Sequence, residues 1–146
     1  MSDPFKLQRF LDAQSGDYDR ALAEIRAGRK ASHWIWYVFP QMKGLGFSRA
    51  SEFYGLSGAD EARAWLAHPI LGPRLRACVE AMLAHTGSAE DILGGLDALK
   101  FRSSMTLFAA AAPGDDLFET ALRRFFTGPD DKTLALLARK AQSPSG

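Results

Sequence analysis

Apolar residues recur along most of this chain at intervals of three and four, the spacing that lines one face of an α-helix. Phe5, Leu7, Phe10 and Leu11 begin the pattern, and Tyr18, Ala21, Leu22 and Ile25 continue it. Asp17 is placed to cap the start of that second stripe, and Gly28 to end it in the left-handed conformation. The run Ser57-Gly58-Ala59-Asp60-Glu61 resembles a capping box. It opens a helix that closes near His68, because Pro69 disfavours helical geometry in the residue before it. Leu75, Cys78, Val79, Met82 and Leu83 form the next stripe, closed by Gly87, and Ser88 caps a short turn to Leu93. From Leu96 to Ala112 there is neither glycine nor proline, and Gly94-Gly95 and Pro113-Gly114 bound the stretch, which predicts a long helix. Leu117, Phe118, Ala121, Leu122, Phe125 and Phe126 make the strongest stripe, ended by Gly128-Pro129. Asp130 or Asp131 then caps a last helix carrying Leu134, Leu137 and Ala138, and Gln142 to Gly146 read as a disordered tail.

Periodicity fails in one place. Trp34-Ile35-Trp36-Tyr37-Val38-Phe39 is apolar on every side, which fits a buried strand or a wholly buried short helix. Nothing else in the chain supplies strands to pair with it, so a helix is favoured. With no internal repeat and no linker, the reading is one all-α domain over residues 1–141, built from seven to nine helices, several of them short.

Composition narrows the class without naming a function. The 146 residues are 47% hydrophobic and 24% charged, with three tryptophans, three tyrosines and ten phenylalanines. Such a chain can bury a core and is unlike a disordered one. Its net charge of +1 argues against coating nucleic acid by bulk charge. The single Cys78 excludes an internal disulfide and a thiolate zinc cluster and suits a reducing compartment. The longest apolar stretches, Trp34 to Pro40 and Leu107 to Pro113, are seven residues each, far too short to span a bilayer. The first residues lack the order of a secretory signal, so the cytoplasm is the expected location.

Charge read by position is more telling than its sum. Between Glu24 and Glu52 there is no acidic residue, whereas Arg26, Arg29, Lys30, Lys43 and Arg49 make a local +5. Trp34, Trp36, Tyr37, Phe39 and Phe47 fall in the same window. Flat rings beside cations suit a small anionic ligand such as a nucleotide, although core packing explains the aromatics equally well. The window ends in Pro40-Gln41-Met42-Lys43-Gly44-Leu45-Gly46-Phe47-Ser48. Gly44 and Gly46 allow a close backbone approach, and Ser48 can cap a helix whose free N–H groups attract anions. Arg49 stands where a dinucleotide fingerprint needs its third glycine, and no Walker pattern occurs.

A second group, Asp97, Lys100, Ser103, Ser104 and Thr106, lies on the predicted long helix, with Asp97, Lys100 and Ser104 on one face. Hydroxyls are unfavourable mid-helix. Two readings stand: a ligand site, or hydroxyls bonded back to the preceding turn with Lys100 paired to Asp97. No metal site is expected, since His33, His68 and His85 lack zinc-binding spacing, and no Gly-x-Ser-x-Gly elbow is present. His33, inside the basic aromatic window, is the candidate for acid–base work; His68 and His85 read as structural. Glu52, Glu61, Glu80 and Asp97 are the free carboxylates, and no spacing pairs them.

Three stretches carry a family resemblance. They are Lys30-Ala31-Ser32-His33-Trp34-Ile35-Trp36 running into Phe39-Pro40-Gln41-Met42-Lys43-Gly44-Leu45-Gly46-Phe47-Ser48; Trp65-Leu66-Ala67-His68-Pro69-Ile70-Leu71-Gly72-Pro73-Arg74-Leu75; and Asp97-Ala98-Leu99-Lys100-Phe101-Arg102-Ser103-Ser104-Met105-Thr106-Leu107-Phe108. With Phe125-Phe126-Thr127-Gly128 and Asp131-Lys132-Thr133-Leu134, they closely resemble domain-of-unknown-function family 1810 over about Phe5 to Leu137. Trp65 departs from the tyrosine more usual there. The resemblance implies a compact, mainly helical bacterial protein. A more distant similarity to the NADAR family points to NAD and ADP-ribose metabolism.

The resulting expectation is a binder or hydrolase of a small nucleotide ligand of the ADP-ribose or NAD class, with no cofactor. Trp34 or Trp36 stacks on the base. Gln41, the loop from Gly44 through Gly46 to Ser48, Arg74 and Lys100 hold the anion, and Ser103 and Ser104 bond to ribose hydroxyls. In a hydrolase, His33, Asp97 and Glu61 are the catalytic candidates, a carboxylate steadying the cationic sugar or activating water. The alternative is a non-catalytic protein-interaction domain whose unusual residues form a structural polar network. Single-stranded nucleic-acid binding through the same window is a third reading.

Overall fold

The computed structural model describes residues 3–142. Its helices are α1 (Gln8–Gln14), α2 (Tyr18–Ala27), α3 (Ile35–Val38), α4 (Arg49–Tyr54), α5 (Ala59–Ala67), α6 (Leu71–Leu83), α7 (Ala89–Leu93), α8 (Gly95–Ala111), α9 (Asp116–Phe125) and α10 (Asp131–Gln142). Among the described residues there is no strand, only an isolated parallel bridge between Met42 and Leu56. The fold is all-α, as the periodicity implied. Ten helices exceed the expected seven to nine, because the stretch between Gly28 and Ser57 holds two short ones, α3 and α4.

The ambiguous apolar run is the single turn α3. Val38 N–H donates to Trp34 at 3.2 Å and Phe39 N–H to Ile35 at 3.0 Å. Trp34, Ile35, Val38 and Phe39 are buried, whereas Trp36 and Tyr37 are only half-buried.

The centre of the molecule is α8. It packs against α5, α7, α9, α10 and α3, and every residue from Ser103 to Phe108 is buried. A helix enclosed on this many sides shows no polar stripe. Phe101 meets Phe39 with ring centres 4.7 Å apart, and Phe108 meets Phe118 at 5.5 Å and Trp65 at 5.8 Å. Trp65, fully buried, is therefore a packing residue. Truncating rings so enclosed costs about 3–5 kcal/mol each.

The ends of the helices follow local chemistry, with three revisions. Gly28 closes α2 at φ +80°, and Ser88 and Asp91 form a reciprocal capping box at α7. Asp17 stands at the start of α2 but turns its carboxylate away from the helix N–H groups, accepting the Tyr37 hydroxyl and pairing with Arg20 at 3.6 Å. At α5 the expected box runs in one direction only. Glu61 Oε1 accepts the Ser57 N–H at 2.9 Å and its hydroxyl at 3.0 Å, which leaves Gly58 at the N-cap. The third revision is at α6, which ends at Leu83, before Gly87. His68 closes α5, and its Nδ1 accepts N–H groups of Ile70 and Leu71 at 3.1 and 3.2 Å, a structural role that Pro69 leaves room for. A side chain at Gly72 would place Cβ 2.2 Å from the Leu66 carbonyl oxygen, so only glycine permits this approach of α6 to α5. Of the stretch expected to be disordered, Gln142 ends α10 and residues 143–146 lie outside the described residues.

Candidate ligand cleft

The chain between α2 and α3 is wrapped around one carboxylate. Glu24 accepts the Ala31 N–H (2.8 Å), the Ser32 N–H and hydroxyl (2.9 and 2.7 Å) and the Trp34 indole N–H (2.9 Å). Burial opposes ionisation, but the four hydrogen bonds outweigh it and bring the Glu24 carboxyl down to about 2. Trp34 is 1% exposed. It belongs to the interior, with no ring face open to a ligand, so a stacking role passes to Trp36.

Lys30 connects this hub to α8. Its ammonium lies 5.1 Å over the Trp34 ring and 2.8 Å from one oxygen of Asp97, whose other oxygen accepts Lys100 at 3.2 Å. The Lys100 ammonium in turn lies 4.6 Å over Trp36. Two ammonium groups thus share one carboxylate, which leaves a local excess of positive charge. Burial would raise the Asp97 pKa, but the two lysines hold it below the ordinary carboxylate range. With both oxygens engaged and the group ionised, Asp97 is a poor proton acceptor.

The hydroxyls of α8 are bonded back to the preceding turn. Ser103 donates to the Leu99 carbonyl at 3.2 Å and Thr106 to that of Arg102 at 2.8 Å, which is the structural alternative left open by the sequence. Ser104 is fully buried with its hydroxyl unpartnered and does not reach the surface.

A cleft of about 530 Å³ opens between α3, the loop 41–46, α8 and the first turn of α10. Trp36, Gln41, Leu45 and Gly46 form one side, Leu96, Leu99, Lys100, Arg102 and Ser103 the α8 wall, and Asp130, Asp131 and Lys132 the far rim. Backbone hydrogen bonds between Leu56 and the carbonyl of Gln41 and between Lys43 and the carbonyl of Leu56, both 2.8 Å, hold the loop. Gly44, at φ +103°, lies against Leu136 of α10. The rim is clasped to α8 where Arg102 donates to the Gly128 and Pro129 carbonyls at 2.9 and 3.1 Å and the Asp130 N–H donates to Thr106 at 2.8 Å. Asp130 is itself occupied, capping α10 through the Thr133 N–H and hydroxyl.

Five predicted residues therefore meet in one place: Trp36, Gln41, Gly46, Lys100 and Ser103. Others do not join them. Ser48 caps α4, accepting the Ser51 N–H at 3.1 Å. Arg74 lies 4.7 Å over Tyr18 and donates to Gln14 at 3.1 Å. Glu61 pairs with Arg9 at 3.0 Å beside a separate cleft of about 380 Å³. His33 is exposed, and its backbone carbonyl accepts the Tyr37 hydroxyl at 3.1 Å. Of the catalytic candidates, His33 lies in the loop between α2 and α3, Asp97 in the first turn of α8 and Glu61 on α5 beside the separate cleft, and among the described residues no side-chain hydrogen bond or ion pair joins the three. Among the described residues no three His, Cys, Asp or Glu side chains are placed to hold a metal. Burial pushes the Cys78 thiol up to about 12, which removes it as a thiolate nucleophile.

The sequence reading assigned no role to Lys30, Arg102 or Lys132. Lys30 was visible in the basic window, but its partner lies on α8; Arg102 and Lys132 carry no local signal.

Residues 4–137 match a family described as protein of unknown function DUF1810. The chain belongs to that family. A solved structure, the conserved hypothetical protein Rv1873 from Mycobacterium tuberculosis, is 47% identical to this DUF1810 chain, superposes with a TM-score of 0.91, and is matched over 93% of this chain and 99% of its own. No curated protein matches. Among the described residues, no helix of this DUF1810 protein is long and apolar enough to cross a membrane.

Proposed function

We propose that this DUF1810 protein binds a small anionic ligand of the nucleotide class in the cleft between loop 41–46, α8 and the start of α10. The observation that carries this reading is the Lys100 ammonium, 28% exposed, seated on Trp36 at the cleft wall and sharing the Asp97 carboxylate with Lys30. A cation compensated by half a carboxylate keeps affinity for a further anion. Trp36 and the leucines Leu96 and Leu99 supply apolar surface for a ring. The cleft volume suits a ligand of this size.

Binding is favoured over hydrolysis. Asp97 is held ionised between two lysines, Glu61 lines another cleft, and Asp130 is occupied as a helix cap. ADP-ribose and NAD, named by the distant NADAR resemblance, join AMP as first candidates. Isothermal calorimetry of the protein and of Lys100→Ala with these three is the test. A saturable heat that Lys100→Ala abolishes is expected; no heat from any of them at millimolar concentration overturns the proposal.

One observation favours a second reading, a protein-interaction surface: Leu96 is 77% exposed, Leu99 59% and Phe47, which directly follows Gly46, 95%. In that case Leu96→Asp abolishes a protein complex while leaving any nucleotide heat unchanged.

A further inference from the structure

Three buried side-chain polar atoms lack any hydrogen-bond partner: Trp65 Nε1, Ser104 Oγ and Gln41 Nε2. The first two lie in the packed interior around α8 and border none of the clefts described above. Gln41 differs, because it is 9% exposed and lines the cleft that holds Lys100 and Trp36. Its Nε2 is shielded from solvent and has no partner, and among the described residues no hydrogen bond is made by its oxygen. Pairing with Leu56 on both sides of Met42 holds the backbone at Gln41.

Buried amides are ordinarily satisfied. One whose N–H end is unpartnered, at the wall of a cleft lined by Trp36, Lys100 and Lys132 as well as Asp130 and Asp131, is prepared for a ligand group. We infer that Gln41 determines specificity by reading the edge of a planar heterocycle that carries a hydrogen-bond donor next to an acceptor. The inference rests on the cleft being a ligand site. A carboxamide presents one donor direction beside one acceptor direction, and a lactam edge or an aminopyridine-type edge complements both at once, as glutamine does with adenine. A phosphate or carboxylate offers acceptors alone and satisfies only the N–H end. Trp36 lines the same cleft and supports the ring, and Lys100 and Lys132 receive the acidic part of the ligand.

Calorimetry with AMP, UMP and ribose 5-phosphate tests this on the unmodified protein, Gln41→Met and Lys100→Ala. AMP and UMP present the two edge types, and ribose 5-phosphate lacks a base. At least one nucleotide should bind about tenfold more tightly than ribose 5-phosphate, the discrimination of one bidentate pair. In Gln41→Met that preference should fall to within about twofold while ribose 5-phosphate is unaffected, whereas Lys100→Ala weakens all three alike. Gln41→Met should also melt no lower than the unmodified protein, because it removes a polar group without a partner. Ribose 5-phosphate binding as tightly as both nucleotides, or a preference that survives Gln41→Met, overturns the inference but leaves the cleft an anion site. Failure of all three probes removes the cleft reading and this inference with it.

Discussion

The molecule contains the same arrangement twice. Lys30 lies over Trp34 and Lys100 over Trp36, and the two lysines meet on the two oxygens of Asp97. One half is sealed: Lys30 is 8% exposed, and Trp34 is locked by its indole hydrogen bond to Glu24. The other half opens on a cleft. Residue type therefore does not distinguish an enclosed pair from an accessible one. What distinguishes them is how far other elements cover the pair: α2 and the loop after it enclose the first, while the second lines the cleft bounded by loop 41–46 and the start of α10.

The largest expected effect separates the two tryptophans. Trp34→Ala should destabilise the protein by roughly 3–5 kcal/mol, with Tm lowered by about 10–15 °C, whereas Trp36→Ala should cost about 1 kcal/mol. Equal losses in thermal melting would dissolve the contrast.

The shared carboxylate comes next. Asp97→Asn leaves two ammonium groups facing one another and should cost about 2 kcal/mol in denaturant unfolding, and adding Lys100→Ala should restore part of that loss. Purely additive losses would show that the two halves are not coupled through Asp97.

A third test uses acid. Glu24 has its folded pKa lowered from 4.5 to about 2, so its contribution is fully present above pH 4.5 and is lost as pH falls from about 4.5 towards 2. Asp97, also lowered, adds a loss of the same sign below its ordinary value of 3.8. Melting temperature followed across that range should fall less steeply in Glu24→Gln than in the unmodified protein. Parallel curves would mean that Glu24 does not supply the acid sensitivity of the sealed half.

The smallest change in stability is expected at the open pair. Lys100→Ala should alter unfolding free energy by no more than about 1 kcal/mol, since the ion pair it removes is partly exposed, while weakening anion binding more than tenfold. A variant that lost several degrees yet bound normally would make Lys100 a structural residue like Lys30.

Much of the fold was legible because burial imposes a period. The stripes at Tyr18 to Ile25, Leu75 to Met82 and Leu117 to Leu122 each became a helix with those residues buried or, at Leu22 and Leu117, half-buried against the core. Where burial is complete the period vanishes, and α3 could be read only by noting that the chain lacked strands to pair with it. Capping was less legible: Asp17 stood at the right position and bonded elsewhere, because Tyr37 from another element offered a competing donor. The candidate site was visible in part. Trp36, Gln41, Gly46, Lys100 and Ser103 were picked out by residue type and meet in one cleft, but the same criteria also picked Trp34, Ser104, Arg74 and Glu61, which packing uses elsewhere.

The linear order of residues by itself determined the helical class, the stripes that face inward, the glycine that ends α2, and the concentration of cations with aromatics between Glu24 and Glu52. Only tertiary structure decided which of two similar lysine–tryptophan pairs stays open, that Asp97 joins them, and that Gln41 is left without a partner at a cleft wall. The reason is range. Periodicity and capping depend on neighbours within a turn or two, whereas exposure and hydrogen-bond satisfaction depend on which distant element comes to rest on a side chain.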